Sequence, residues 1–523
     1  MSFFKQRSIL DTRTEHTVHI PYRLVIGVGV GYLVLPICIF FVTWLRWYIG
    51  FPAAFALLAG VAFFMRNTCS DSTDKLVLPL KHFLAIAVLL LLWVWTTGIG
   101  NFFVSAYDHP YRTALFRDLI NFDWPVIYSE TGNALIYYLF YWMIPALFGK
   151  VFGWATGNVV LLLWTYIGVL LAYLLLLHVC KSKTNGEIWL AAILLFGWSG
   201  LNTVGSAITQ ILNMNLYPFG LGSGLGWLDA LFNGYSFNFF YRSNMETLTQ
   251  IYNQATPLWI ITLLTLDSKN KVQNFAFLGL CLLPFAPLPF LGLVIFLIAF
   301  FCVQLHTAYK NREIVPFIKQ TFSLQNILAS ITIFPVTALF FSCNLTTHQD
   351  GSGGLMLLPL ELFDKVRTVG IILFWILQFG IIAALIFTKY RKSILYYITI
   401  ASLIVIPLFE FGKRGGRDFC MNVSLPALFI LMVLTIRYLN EHVIQKNLGV
   451  KNLIICVVLT LSILSPIQDI AAKLDTIGDL HQFPVINDSV VSFSDKQIGD
   501  IAHLENFLVP NYDRTAFFKY VAR

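Results

Sequence analysis

Tyr107-Asp108-His109-Pro110-Tyr111-Arg112 opens the stretch of this sequence best equipped for chemistry, and Leu115-Phe116-Arg117-Asp118-Leu119 and Asp123-Trp124-Pro125 follow it. A carboxylate can take the proton from an attacking hydroxyl, and partial desolvation strengthens it as a base by raising its pKa. Asp108 is the first candidate for that work and Asp118 the second. His109, Arg112 and Arg117 stand beside them as binding groups for a substrate. A purely structural reading also stays open: Asp108 caps a helix containing residues 113–120, and Asp118 pairs with Arg112 or Arg117.

Two further segments carry binding chemistry. Arg242 and the turn Glu410-Phe-Gly-Lys-Arg-Gly-Gly-Arg-Asp-Phe, with Lys413, Arg414, Arg417 and Asp418, suit a phosphate. Guanidinium groups meet phosphate oxygens two at a time, and Gly412, Gly415 and Gly416 let backbone amides approach the same anion. The alternative is a solvated turn whose charges contact lipid headgroups or pair with Glu410 and Asp418. Residues 237–257 mix aromatic rings with Asn, Gln, Arg and Glu, the composition of a sugar site, and Asn253 and Gln254 are its candidate ligands. The same two residues, just ahead of Pro257, could instead cap a helix. No zinc spacing, P-loop, dinucleotide fingerprint or nucleophile elbow occurs, and the chain offers no cage for a metal and no cofactor motif.

The elements that position these residues must be membrane helices. Of 523 residues, 57% are hydrophobic and 12% charged, against roughly 25% charged in a soluble domain. A soluble core of this size could not hide so much apolar surface, so lipid is the solvent. Apolar runs at 24–44, 51–65, 83–100, 156–179, 187–205, 256–267, 272–284, 288–305, 323–343, 368–388, 394–409, 420–437 and 451–466 predict about thirteen spans in an all-α, polytopic helical bundle. The net charge of +8 is spread over short loops, so it reports topology and not a nucleic-acid partner. All the Lys/Arg clusters fall on one side if residues 136–153 do not cross but lie as a helix in the opposite interface. The N-terminus is then inside and the C-terminus outside. Outer loops cover 101–155, 206–255, 344–367 and 410–419, completing a membrane domain over 1–466, and a short extracytoplasmic tail spans 467–523.

This layout resembles the GT-C class of membrane glycosyltransferases. The residues that carry the likeness are the acid in the first large outer loop, the Tyr137-Tyr138 pair on an outer interfacial helix, and the Lys150–Gly153 end of that helix. Within the class it is similar to a group of bacterial multi-span proteins whose first loop reads Asp, three residues, His-Asn, then a helix ending in Trp-Pro. Asp108, Arg112-Thr113 and Trp124-Pro125 fall in that frame, as do Ser199-Gly200-Leu201, Asn253-Gln254-Ala255 with Pro257, and Asp418-Phe419 with Met421, Ser424 and Pro426. Arg112 stands where the group has His, so a His-dependent role does not carry over to it. The resemblance implies a bacterial inner-membrane enzyme that moves a sugar from a polyprenyl-phosphate carrier to an envelope glycan or glycolipid. It also implies Asp108 as base, Tyr137 at the site, and inversion at the sugar. The alternative is a transporter or flippase of a lipid-linked saccharide, which calls for charged residues and broken helices deep in the spans. The candidate break, at Pro284, Pro287 and Pro289, lies near an outer turn and carries no charge.

Overall fold

Among the described residues, apolar runs of 22 to 31 residues become eight helices long enough to cross the roughly 30 Å hydrocarbon core of a bilayer. The computed structural model of the chain describes residues 16–69, 74–104, 109–212, 231, 239–347, 355–357, 365–411, 416–444, 449–480, 492–494 and 506–523. The helices used below are α1 (Tyr22–Trp44), α2 (Trp47–Cys69), α3 (Leu80–Thr96), α4 (His109–Asn121), α5 (Met143–Phe152), α6 (Trp154–Cys180), α7 (Asn185–Gly197), α8 (Asn202–Leu212) and α9 (Asn244–Asp267). They continue with α10 (Phe275–Leu282), α11 (Pro287–Lys310), α12 (Ile314–Thr321), α13 (Leu324–Thr347), α14 (Lys365–Trp375), α15 (Ile381–Tyr390), α16 (Ile394–Val405), α17 (Gly416–Val423), α18 (Leu425–Leu439) and α19 (Val450–Leu480). The chain is a multi-pass membrane protein built as a helical bundle.

Each of the thirteen apolar runs falls on a helix, but five are not straight, full-length spans. α3, α10 and α16 are short, α9 is less apolar, and α7 and α8 form a pair bent by 52°. The bent pair meets a second irregularity. Between α14 and α15 the helix loosens into a π-turn at Ile376–Gly380, where the Leu377 carbonyl accepts the Leu201 N–H at 3.0 Å. Gln378 Nε2 donates to Asn202 Oδ1 at 2.5 Å across the same joint. A β-carbon on Gly200 would sit 2.1 Å from Gln378 Oε1 and 3.0 Å from its Cα, so a larger residue there would have to displace Gln378. Backbone groups freed by a break in one span are thus satisfied by the other, as an apolar surround requires.

The basic clusters do share one end of the bundle. Tyr22 stacks on His178, which pairs with Asp267 at 3.6 Å. Lys271 reaches the Thr68 carbonyl, Arg437 the Val179 carbonyl, Lys389 the Glu441 carboxylate and Lys451 the Thr388 hydroxyl. Strands β1 (Thr17–Pro21) and β2 (Lys75–Pro79) pair antiparallel beside them.

The opposite end holds the α1–α2 turn, α4, and a three-stranded sheet of β3 (Ile127–Tyr128), β4 (Asn133–Leu135) and β7 (Leu508–Pro510), ordered β3-β4-β7. A two-stranded ribbon pairs β5 (Leu355–Leu357) with β6 (Phe409–Phe411). Residues 136–153 begin and end here. Within 136–153 a regular helix, α5, begins only at Met143, and it leaves Leu147, Phe148, Val151 and Phe152 exposed. The interfacial reading fails for the preceding turn, Leu139–Trp142, whose four side chains are wholly buried. Their bulk is drawn inward because Tyr141 and Trp142 find hydroxyl partners in Thr165 and Tyr252.

The expected boundary at 466/467 is also corrected. α19 runs unbroken through it from Val450 to Leu480, with Pro466 inside the helix. Residues 517–523 pack against the bundle. Arg46 donates to the carbonyls of Lys519 (2.8 Å) and Ala522 (3.1 Å), and Arg523 N–H reaches the Trp44 carbonyl. Phe517 packs, fully buried, against Phe40 and Phe340. Arg46→Ala should therefore raise amide hydrogen exchange over residues 517–523 at least about tenfold while leaving α6 and α9 protected, as read by exchange mass spectrometry.

Candidate functional site

Three local devices fix α4 over the bundle. Lys150 reaches back from α5 to the carbonyls of Ile120 (3.3 Å) and Phe122, satisfying acceptors at the C-terminus of α4. Gly149 and Gly157 let α5 and α6 close on Ile120, since a β-carbon at Gly149 would stand 2.4 Å from its Cδ1. Asp118 provides the third. Its buried carboxylate accepts the Tyr128 hydroxyl (2.6 Å), the Ser492 hydroxyl (2.5 Å) and the Phe493 N–H (2.9 Å). The reading of Asp118 as a reserve base, or as an ion-pair partner of Arg112 or Arg117 alone, gives way to a structural one. A carboxylate holding three donors binds residues 492–493 to α4.

With α4 so placed, His109 and Arg112 face the bundle and are buried. His109 Nε2 donates to the Thr249 carbonyl on α9. The Arg112 guanidinium lies 5.9 Å from the centre of the Tyr252 ring, and His109 meets that ring edge-on at 5.7 Å. Trp142 donates to the Tyr252 hydroxyl at 3.0 Å. Tyr138 feels both Asp418 and Arg112. Its pKa is pushed up first by burial, then by Tyr137 and Asp418, with Arg112 opposing. Arg242 reaches Asn422 Oδ1 at 3.4 Å and interacts electrostatically with Glu246. Glu246 in turn interacts with Asp469, and Asp469 with Lys473. The Lys473 ammonium donates to the carbonyls of Thr96 (3.0 Å) and Thr97 (3.1 Å), at the C-terminus of α3.

α9 carries the floor of this cluster. The expectation that its span begins near 256, with Asn253 and Gln254 as caps, is corrected. The helix starts at Asn244 on a reciprocal capping box between Ser243 and Glu246, and every residue from 244 to 266 is buried. A helix enclosed by protein can keep polar residues that lipid would reject. Backbone angles depart from helical at Ile251 (φ −134°, ψ 44°), beside Tyr252 and Asn253. Among the described residues, neither end of the Asn253 amide nor the Thr249 hydroxyl has a hydrogen-bond partner. Buried polar atoms of that kind are costly unless a ligand meets them.

The sequence-derived residues divide cleanly. His109, Arg112, Tyr137, Arg242 and Asp418 are linked through contacts or charge interactions, and Asn253 and Gln254 lie buried on α9 beneath them. Arg117 points elsewhere and stacks on Trp154 at 4.9 Å. Asp108, Lys413 and Arg414 lie outside the described residues, and so does the side chain of Arg417. Sequence reasoning missed Asp469 and Lys473 because Pro466 reads as a helix stop. The apolar spacing of Ile467, Ile470, Ala471 and Leu474, which continues past it, was the available signal. It also undervalued Tyr252 and Glu246.

No family model, curated protein or solved structure matches this chain.

Two consequences are measurable. Burial draws the His109 pKa from its ordinary 6.5 down to about 3, the Thr249 bond opposing and Arg112 and Lys473 assisting. The unfolded chain takes a proton below about 6.5 that the folded chain refuses until about 3, so stability falls as pH drops through that window. The unfolding free energy in detergent should decline more steeply between pH 7 and 5 for the native chain than for His109→Phe, by up to about 1.4 kcal/mol per pH unit. Asp118→Asn should turn an amide donor toward the groups Asp118 accepts. We expect a loss of about 2 kcal/mol in stability by calorimetry, with ligand affinity unchanged in the molecules that remain folded.

Proposed function

We propose that the protein is a membrane glycosyltransferase of GT-C type, moving a sugar from a polyprenyl-phosphate carrier to an envelope glycan or glycolipid. One observation carries this reading: the charged groups away from the basic end gather at a single depth. Asp469 stands about 19 residues above Val450, roughly 28 Å of helix rise, and Glu246 about 21 residues above Asp267, roughly 31 Å. Both starting points belong to the basic end. If that end is cytoplasmic, as the positive-inside bias favours, the cluster sits at the outer rim of the hydrocarbon core. A lipid-linked donor can enter there from the side and a polar acceptor from above.

In the proposed reaction Asp108 takes the proton of the acceptor hydroxyl, whose oxygen attacks the anomeric carbon. The bond from that carbon to the phosphate oxygen breaks, and Arg112, with Arg242 and the basic turn at 413–417, stabilises the charge that grows on the leaving phosphate. A single base on the face opposite the leaving group implies inversion. The unpartnered Asn253 amide and Thr249 hydroxyl suit sugar hydroxyls. The location this reading calls for is a bacterial inner membrane, with the N-terminus inside and the C-terminus outside.

A transporter of lipid-linked saccharides is the second reading. It is favoured by the bent α7–α8 pair facing a π-turn and by Asp469 and Lys473 within a long apolar helix. The depth of those charges, near a rim and away from midplane, supports the transferase instead. Purified protein supplied with a polyprenyl-phosphate sugar and an envelope acceptor should release carrier phosphate. Asp108→Asn should slow release about 10²- to 10⁴-fold with an unchanged thermal midpoint, and Arg112→Gln about 10²-fold per folded molecule. Transbilayer movement of the labelled lipid in proteoliposomes, with no phosphate released, would support the transporter.

A further inference from the structure

The groups around Arg112 have a fixed hydrogen-bonding sense that the transferase reading does not yet use. An indole N–H can only donate, so the Tyr252 oxygen accepts from Trp142, and its own O–H must point elsewhere. No acceptor among the described residues takes it. A backbone carbonyl can only accept, so the hydrogen between His109 and Thr249 belongs to Nε2. In the neutral ring Nδ1 is then a bare acceptor, and no donor among the described residues meets it. Burial with Arg112 and Lys473 nearby keeps the ring neutral. Arg112 follows His109 by one helical turn and overlies Tyr252, so a cation, a donor-only hydroxyl and an acceptor-only imidazole nitrogen share one neighbourhood.

We propose that His109 and Tyr252, beside Arg112, recognise a phosphodiester whose esterified carbon has a free hydroxyl on the carbon beside it. The anionic oxygen satisfies Arg112 and the Tyr252 O–H. A phosphodiester has no hydrogen to offer Nδ1, and the adjacent hydroxyl supplies one. A glycosyl phosphate with an unsubstituted hydroxyl next to the anomeric carbon carries this pair of groups, so the inference rests on the transferase reading and narrows its donor. Sites built to hydrogen-bond a hydroxyl reject analogues that lack it, because the protein group is left unpaired.

Two short diesters test it without knowledge of the sugar: geranyl 2-hydroxyethyl phosphate and geranyl ethyl phosphate, titrated calorimetrically into the full chain in detergent. The hydroxyethyl ester should bind about tenfold more tightly. Tyr252→Phe should weaken both about tenfold and keep the preference, whereas His109→Phe should erase the preference and leave the ethyl ester's affinity intact. Equal affinities in the native chain overturn the proposal whatever the variants do, and so does undiminished binding by a folded Tyr252→Phe. Binding of neither ester, alongside carrier-phosphate release in the transfer assay, overturns this inference and spares the transferase. Absence of both binding and release removes both.

Discussion

Polar and charged groups buried in a bundle that lipid surrounds must be met by other protein groups, and that requirement organises the non-basic end of this protein. His109, Arg112, Arg242, Glu246 and Lys473 are all buried. A lone ionised group near hydrocarbon costs on the order of 3 kcal/mol, so several without partners would consume the 5–15 kcal/mol that typically separates folded from unfolded chains. The groups come from three elements: α4 brings His109 and Arg112, α9 and the residues before it bring Glu246 and Arg242, and α19 brings Asp469 and Lys473. Opposite charges face each other within an element, Arg242 with Glu246 and Asp469 with Lys473, while His109 on the Thr249 carbonyl and Arg112 over Tyr252 join α4 to α9. Helix register is set by smaller contacts, such as Lys150 closing the end of α4, Lys473 closing the end of α3, and Asp118 tying α4 to residues 492–493.

α9 is the axis of that arrangement. Because protein encloses it on every side, it tolerates Thr249, Asn253, Thr256 and Glu246 where a lipid-facing helix could not. Thr256 joins a hydroxyl network with Tyr32, Tyr141 and Thr165, which ties α9 to α1, α6 and the buried turn before α5. The irregular backbone at Ile251 comes one residue before Tyr252, which faces Arg112 and His109. Rigid surroundings with a few polar groups left unpartnered are what a preorganised site needs, since the cost of holding those groups is met by folding and not at the moment of binding.

The sequence made the membrane architecture legible because hydropathy and the Lys/Arg bias act locally. Each apolar run became a helix, and clusters as far apart as Lys75 and Lys451 came to one end. It showed much of the site for the same reason that it could mislead about the rest. Arg112, Arg242, Asn253 and Asp418 stood out as polar residues in aromatic company, and the fold links or buries them beside α9. Asp118 stood out equally, yet its partners Ser492 and Phe493 lie more than three hundred residues away, a pairing no local pattern reveals. Asp469 and Lys473 were hidden by Pro466, which a membrane helix absorbs when neighbouring helices support it. The wholly buried turn at 139–142 was hidden by its own composition, since Phe, Tyr and Trp suit an interface as well as a core.

The central claim is that the charged cluster lies at the outer rim of the membrane, and sidedness tests it most directly. Single cysteines at Glu130, exposed in the β3–β4 turn, and at Arg312, exposed at the basic end, would be placed in a cysteine-free background and treated in intact cells with a membrane-impermeant maleimide. The account predicts labelling at 130 and protection at 312 until the cells are opened. Labelling at 312 with protection at 130 would put the cluster on the cytoplasmic side and contradict it.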